Sequence, residues 1–261
     1  MPYDLKGRNV LITGGSRGLG AVLTRTFAAQ GCNIAINFQS SETAAKDLAQ
    51  EIEEKYHVKA TIIKADVGIT TECERCVRDT VKAIGGLDIL IGNAGYTKFT
   101  ENWGDLDALS EEDWDKCFAV NVKSKLALMR AAGPIFRENP DGGVFLITSS
   151  IAGVSQGGSS MAYSVTKAAQ LHLMKCLASV CGPKIRVNAV LPGLLLTDWG
   201  NQYGEERIAS LKDRAALKKE TDLQDCANVF VDLAKNTSIT GAKIQVGKSP
   251  ILSQERTELI L

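Results

Sequence analysis

Tyr163 and Lys167 stand four residues apart in Tyr163-Ser-Val-Thr-Lys167, a spacing that puts both side chains on one helix face. The surrounding pattern, Ala162 to Val180, is apolar and helical, and a lysine there must find a partner or stay at a solvated edge. Thirteen residues before the tyrosine, Ser149-Ser150 closes a strand-like run. These residue types suit proton transfer at a carbonyl. Reducing a ketone creates an alkoxide that needs a proton, and a phenol can give one, with an ordinary pKa of about 10. Bringing that value near 7 requires about 4 kcal/mol of preference for the phenolate, part of which a nearby lysine ammonium can provide. The Ser150 hydroxyl can hold the carbonyl oxygen by a hydrogen bond.

A second constellation lies near the start. The run Thr13-Gly14-Gly15-Ser16-Arg17-Gly18-Leu19-Gly20 joins a short apolar strand to a helical pattern from about Leu19 to Gln30. Gly14, Gly18 and Gly20 let the chain turn tightly and let backbone N–H groups approach a phosphate at the positive helix end. The spacing is neither G-x-G-x-x-G nor that of a P-loop, because no Lys-Ser/Thr follows the last glycine. The next strand-end, Asn37-Phe38-Gln39-Ser40-Ser41, has no acid before Glu42 to hold a ribose 2′-hydroxyl. Arg17 could pair with a 2′-phosphate, and Ser40 and Ser41 could add hydroxyl donors. This favours NADP(H), with NAD(H) possible. Asp66-Val67 ends the third strand, where the carboxylate could accept from an adenine amino group. Gly92-Asn93-Ala94-Gly95 ends the fourth, leaving room for a flat cofactor. The positive nicotinamide of the oxidised cofactor would also favour a phenolate at Tyr163.

Strands and helices must bring these separated segments together. Strand-like runs are Asn9–Thr13, Asn33–Asn37, Lys59–Ala65, Leu87–Ile91, Val144–Thr148, Ile185–Val190 and Lys243–Val246. Several are continuously apolar, as strands covered on both faces should be. Helical patterns separate them, including Leu48 with Ile52 and the set Cys76, Val77, Thr80, Val81 and Ile84. The alternation predicts an α/β fold: a Rossmann-type doubly wound parallel sheet of about seven strands with helices on both faces. Ligands in such sheets bind beyond the carboxyl ends of the strands. No composition break divides residues 1–261, so a single dinucleotide-binding and catalytic domain is expected.

Composition excludes several classes. Lys+Arg and Asp+Glu are both 30, which argues against a broad nucleic-acid surface. No apolar run is long enough for a transmembrane helix, and no leader pattern precedes Val10, so no membrane contact and a cytoplasmic location are expected. Seven scattered cysteines suit reduced thiols. Cys73-Glu-Arg-Cys76 has no second pair and reads as helix-face cysteines. His57 and His172 lack partners at ligand spacing, so no catalytic metal is expected. Trp114 with Phe118 has the spacing of core residues, whereas Trp103 and Trp199 follow strands on the ligand side.

Together these motifs resemble the short-chain dehydrogenase/reductase family, in the single-domain form related to 3-oxoacyl carrier-protein reductases. The likeness runs from about Leu5 to Val246, through T-G-x-x-x-G-x-G at Thr13–Gly20, Asp66, N-A-G at Asn93–Gly95, Asn121, Ser150, Tyr163, Lys167, and Pro192-Gly193 with Thr197. The resemblance implies a Ser-Tyr-Lys-Asn site. Tyr163 would be the acid in reduction, and Lys167 would hold the nicotinamide ribose and lower the phenol pKa. Ser150 would orient the carbonyl, Asn121 would hold a relay water, and Thr197 with the backbone after Pro192-Gly193 would anchor the carboxamide. Two departures stand out: Gly92 replaces the first Asn of the usual N-N-A-G, loosening a structural contact, and V-D-G-G reads Val246-Gly-Lys-Ser249. The last dozen residues have no counterpart.

The expected activity is therefore NADPH-dependent reduction of a small-molecule ketone, or alcohol oxidation in reverse. The alternatives are NAD-dependent alcohol oxidation and a cofactor sensor without turnover. A lid is expected over about residues 194–216, carrying apolar Leu194–Leu196, Trp199, Tyr203 and Ile208 beside charged Asp198, Glu205, Glu206, Arg207 and Lys212. The helix after Tyr163 is apolar nearly all round, more than one sheet face needs, which suggests burial against another subunit; the family resemblance implies a homodimer or homotetramer.

Overall fold

The computed structural model describes residues 3–247. Seven strands form one sheet: β1 (Asn9–Ile12), β2 (Asn33–Phe38), β3 (Ala60–Lys64), β4 (Ile89–Gly92), β5 (Gly143–Thr148), β6 (Ile185–Pro192) and β7 (Lys243–Val246). Their order is β3-β2-β1-β4-β5-β6-β7, and every pairing is parallel. Each predicted strand is present, with ends shifted by a residue or two.

The helices are α1 (Gly18–Ala28), α2 (Glu42–Tyr56), α3 (Thr70–Ile84), α4 (Glu111–Phe118), α5 (Ser124–Glu138), α6 (Met161–Cys181), α7 (Glu205–Asp213) and α8 (Leu223–Lys235). They cover both sheet faces, and the strand pattern shows why. Successive strand side chains point to opposite faces. Val10 and Ile12 enter one core with α1, α2 and α8, while Leu11 enters the other with α3, α5 and α6. Ile34, Ala35 and Ile36 divide in the same way, as do Ile89, Leu90 and Ile91. An apolar residue is therefore required at every position, and the sequence shows runs rather than alternation.

The chain order reverses at β1, which lies between β2 and β4. Strand connections leave the sheet in opposite directions there, opening a crevice at the carboxyl ends of β1 and β4. Glycine turn, Asp66, Asn93–Gly95 and Ser150 all follow strand ends on that side.

Two expectations are corrected. The first helix stops at Ala28, because Gly31, with φ of 83°, turns the chain into β2. Trp114 and Phe118 are half-buried on the short α4 rather than in the core. Cys73 and Cys76 are buried on α3, where desolvation pushes their thiols up to about 11 and about 12. All seven cysteines are free thiols. Among the described residues no helix is long and apolar enough to cross a membrane. Lys248, Ser249 and the unmatched last dozen residues lie outside the described residues.

Candidate active site

The crevice is a cleft of about 1750 Å³ that runs from the glycine turn to α7. It is lined by every site residue expected from the sequence except Asn121, which lies fully buried behind its wall.

At one end of the cleft the glycine turn is braced by two asparagines. Asn37 accepts from Gly14 N at 3.2 Å, and its amide donates to Ile63 O and Ala65 O. Asn93 donates to Thr13 O and Gly14 O at 3.0 and 3.1 Å, and accepts from Thr148 Oγ1. Asn37 and Asn93 thus spend their side chains on the scaffold while still lining the cleft. A Cβ on Gly20 would sit 2.0 Å from Gly14 O, so only glycine lets α1 start this close to the turn. A Cβ on Gly18, whose φ is +52°, would meet Thr197 at 3.4 Å, so the loop after β6 packs over the same turn. The exposed Arg17 is the residue before α1; its backbone carbonyl accepts from Ala21 N at 3.2 Å, while its guanidinium has no ion-pair or hydrogen-bond partner among the described residues. Ser16 Oγ and Ser41 Oγ are 3.1 Å apart beside it. Asp66 accepts from Gln39 Nε2 at 2.7 Å and from Gly68 N at 2.8 Å. The turn is thus a close-packed cradle of backbone N–H groups at a helix start with one free guanidinium, which fits a phosphorylated dinucleotide.

At the other end Lys167 Nζ lies 5.4 Å from the centre of the Tyr163 ring. The ammonium donates to Thr148 O at 2.8 Å and reaches Gln170 Oε1 at 3.5 Å. The partner required of a lysine on this helix is therefore a strand-end carbonyl. Burial pushes the Lys167 ammonium well below its ordinary value, and the charge of Lys125 adds to this. Burial raises the Tyr163 phenol, while a hydrogen bond with Ser150 pulls it down. Ser150 begins a short turn at Ile151–Val154, and its Oγ accepts from Ala152 N at 3.1 Å. A Cβ on Gly95 would lie 3.4 Å from Asn121 Oδ1 and 3.8 Å from Lys167 Nζ, so a bare glycine leaves this floor open.

Asn121 sits in a π-turn, Ala119–Lys123, between α4 and α5. Its Oδ1 accepts from Tyr96 N at 2.8 Å, and its Nδ2 donates to Tyr96 O and Thr166 Oγ1. Gln170 Nε2 donates to its backbone carbonyl at 2.8 Å. Tyr96, Thr166 and Gln170 carried no sequence signal, since their roles come from helix packing. Residues after β6 line the cleft opposite the glycine turn. Trp199 tilts against Tyr163 with ring centres 5.7 Å apart, and Tyr203 meets Phe99 edge-on at 5.0 Å. Arg207 donates to Gly158 O at 3.0 Å, tying α7 across the opening.

A doubly wound sheet that puts a glycine turn after β1, at its switch point, and a tyrosine–lysine pair after β5, two strands away, points to a dinucleotide-dependent oxidoreductase. Comparison with known proteins refines this. A family model described as Enoyl-(Acyl carrier protein) reductase matches residues 14–248. Dehydrogenase/reductase SDR family member 4 of Pongo abelii is 32% identical, over 93% of this chain and 87% of its own. Among solved structures, a short-chain dehydrogenase from Burkholderia cenocepacia in complex with NADP is 30% identical with a TM-score of 0.85, covering 94% of this chain and 98% of its own. A 3-ketoacyl-(acyl-carrier-protein) reductase from Brucella melitensis complexed with NADH is 25% identical with a TM-score of 0.84, covering 93% and 98%. The chain belongs to the short-chain dehydrogenase/reductase family.

Proposed function

We propose that this chain is a single-domain NADPH-dependent carbonyl reductase with Tyr163 as proton donor. The observation that carries the reading is the placement of Lys167 Nζ 5.4 Å from the Tyr163 ring, in the cleft that the glycine cradle and Arg17 also line. Gly14, Ser16, Gly18, Leu19 and Gly20 would hold the diphosphate. Arg17, Ser40 and Ser41 would hold the 2′-phosphate, and Asp66 and Val67 the adenine. Ala94 and Gly95 would floor the ribose and ring, with Pro192, Gly193 and Thr197 at the carboxamide. The NADP complex of the Burkholderia relative supports this choice, and the absence of an acid before Glu42 agrees with it.

A nicotinamide cofactor held by these residues would supply the hydride for the carbonyl carbon. Ser150 donates a hydrogen bond to the carbonyl oxygen, and Tyr163 delivers the proton as negative charge develops there. Burial alone holds the phenol back, because it raises the Tyr163 pKa. The opposing effect comes from the Ser150 hydrogen bond, and a protonated Lys167, 5.4 Å from the ring, would add to it. Trp199 and Tyr203, the latter packed edge-on against Phe99, give the cleft an aromatic wall that suits a largely apolar ketone.

Initial rates of NADPH and NADH oxidation over a panel of ketones, diketones and β-ketoesters test the reading. Faster turnover with NADPH is the expected result. Faster turnover with NADH would overturn the phosphate argument and favour NAD-dependent alcohol oxidation. Cofactor binding without turnover of any carbonyl in the panel would favour a sensor.

A further inference from the structure

Lys125 is fully buried on α5, and no carboxylate approaches it among the described residues. Its ammonium donates to Ala94 O at 2.8 Å, Ser124 Oγ at 3.1 Å and Val120 O at 3.2 Å, which uses all three N–H groups. Its stem passes Gly92. A Cβ there would lie 3.0 Å from Lys125 Cδ and 3.1 Å from Phe145 Cε2, so the stem and the ring occupy the space beside the glycine. The space beside Gly92 is therefore taken by the Lys125 stem, and the contact expected to be loose is filled.

The location of those bonds matters. Ala94 belongs to the Asn93–Gly95 turn that floors the cleft, and Val120 directly precedes Asn121 in the π-turn. One ammonium thus ties the two segments between which Tyr96 and Asn121 are clasped. We propose that Lys125 is a positioning residue for the Tyr163–Lys167 pair, joining the Asn93–Gly95 turn to the Asn121 turn and placing a second positive charge behind Lys167. The inference rests on the catalytic roles proposed above for Tyr163 and Lys167.

The charged surroundings agree with it. The titratable groups that face Lys125 are Cys73 from α3 and Lys167 from α6. The Cys73 thiol is pushed up to about 11 by burial, so it stays neutral near neutral pH and offers no counter-ion. Burial pushes the Lys125 ammonium down to about 8, which leaves it mostly protonated at neutral pH. Two ammonium groups held in one buried region make a proton easier to lose, and the charge of Lys125 acts in this direction on Lys167.

The test is Lys125→Met, which keeps an unbranched stem and removes only the charge and its donors. NMR of protein labelled at lysine 13Cε reads the Lys167 titration without cofactor or substrate. The expected result is a Lys167 midpoint higher than wild type by about half a pH unit or more. A folded variant with an unchanged Lys167 midpoint would overturn the proposal, because a merely structural lysine would lower stability and leave that titration alone. The pH profile of ketone reduction should move upward in step. A shifted Lys167 midpoint in a protein that turns over no ketone would leave the coupling standing and sink the catalytic reading instead. If Lys125→Met does not fold, the wild type decides. Two lysine resonances titrating below the surface set, both moving when NADP+ is added, support the proposal, and movement of only one overturns it.

Discussion

Replacing Lys125 by Met should change the dependence of stability on pH in a direction the structure fixes. The ammonium is lowered from 10.5 to about 8 by burial. Between these values the unfolded chain holds a proton that the folded chain has released. Stability therefore rises with pH across this window, at about 1.4 kcal/mol per unit where the two states differ by a full proton. The cost of burying the charge is fully present below about 8 and disappears as pH approaches the unfolded value. Integrating the linkage from about pH 7.5 to about pH 9.5 gives about 2 kcal/mol gained by the wild type at this site. Met has no proton to lose. Buried thiols such as Cys32 and Cys226, pushed up to about 12, titrate alike in both proteins and cancel in the comparison. Urea unfolding of both proteins at the two pH values reads the difference. The wild type should gain about 2 kcal/mol relative to the variant on going to the higher pH, whichever protein is more stable at the lower one. A difference that stays constant within about 0.5 kcal/mol would refute the claim that this ammonium is buried without a counter-ion.

Tyr163→Phe should cut the rate with the best ketone by about 10²–10⁴-fold while changing NADPH affinity less than about threefold, measured by steady-state rates and by fluorescence titration. Arg17→Ala should weaken NADPH binding by about 10–100-fold, the worth of one charge-assisted phosphate contact, and leave NADH binding unchanged; equal losses for both cofactors would refute the 2′-phosphate role. Gly20→Ala places a methyl 2.0 Å from Gly14 O, so the turn must move; NADPH affinity should fall by at least about tenfold, with stability reduced by about 1–3 kcal/mol in thermal unfolding. Trp199→Ala removes the ring against Tyr163 and should raise KM for apolar ketones far more than it changes NADPH affinity; an unaltered KM would remove Trp199 from the substrate wall.

Much of the molecule was legible in the sequence because its strands are buried on both faces. Runs such as Val10-Leu11-Ile12 and Ile34-Ala35-Ile36 must be apolar at every position, since neighbouring residues enter different cores. The glycine turn was legible for a similar reason: Gly20 and Gly18 occupy positions that a side chain would crowd or strain. Tyr163 and Lys167 were legible because helical spacing makes them neighbours before any tertiary contact forms. What lies behind them was not. The carbonyl of Thr148 that Lys167 needs comes from a strand nineteen residues away, and Asn121 meets Gln170 across forty-nine. Asn37 and Asn93 read as cofactor contacts, yet their hydrogen bonds go to the scaffold, a choice that only the packed turn decides. Nothing in the sequence marks Lys125. The fold buries it because β4 and α5 cross where Gly92 has no side chain, and three oxygens then hold it in place. Local spacing and forced apolarity are properties of the chain itself. The partner of a buried polar group depends on which distant backbone atoms are brought within hydrogen-bond reach, and that is set only when the layers close.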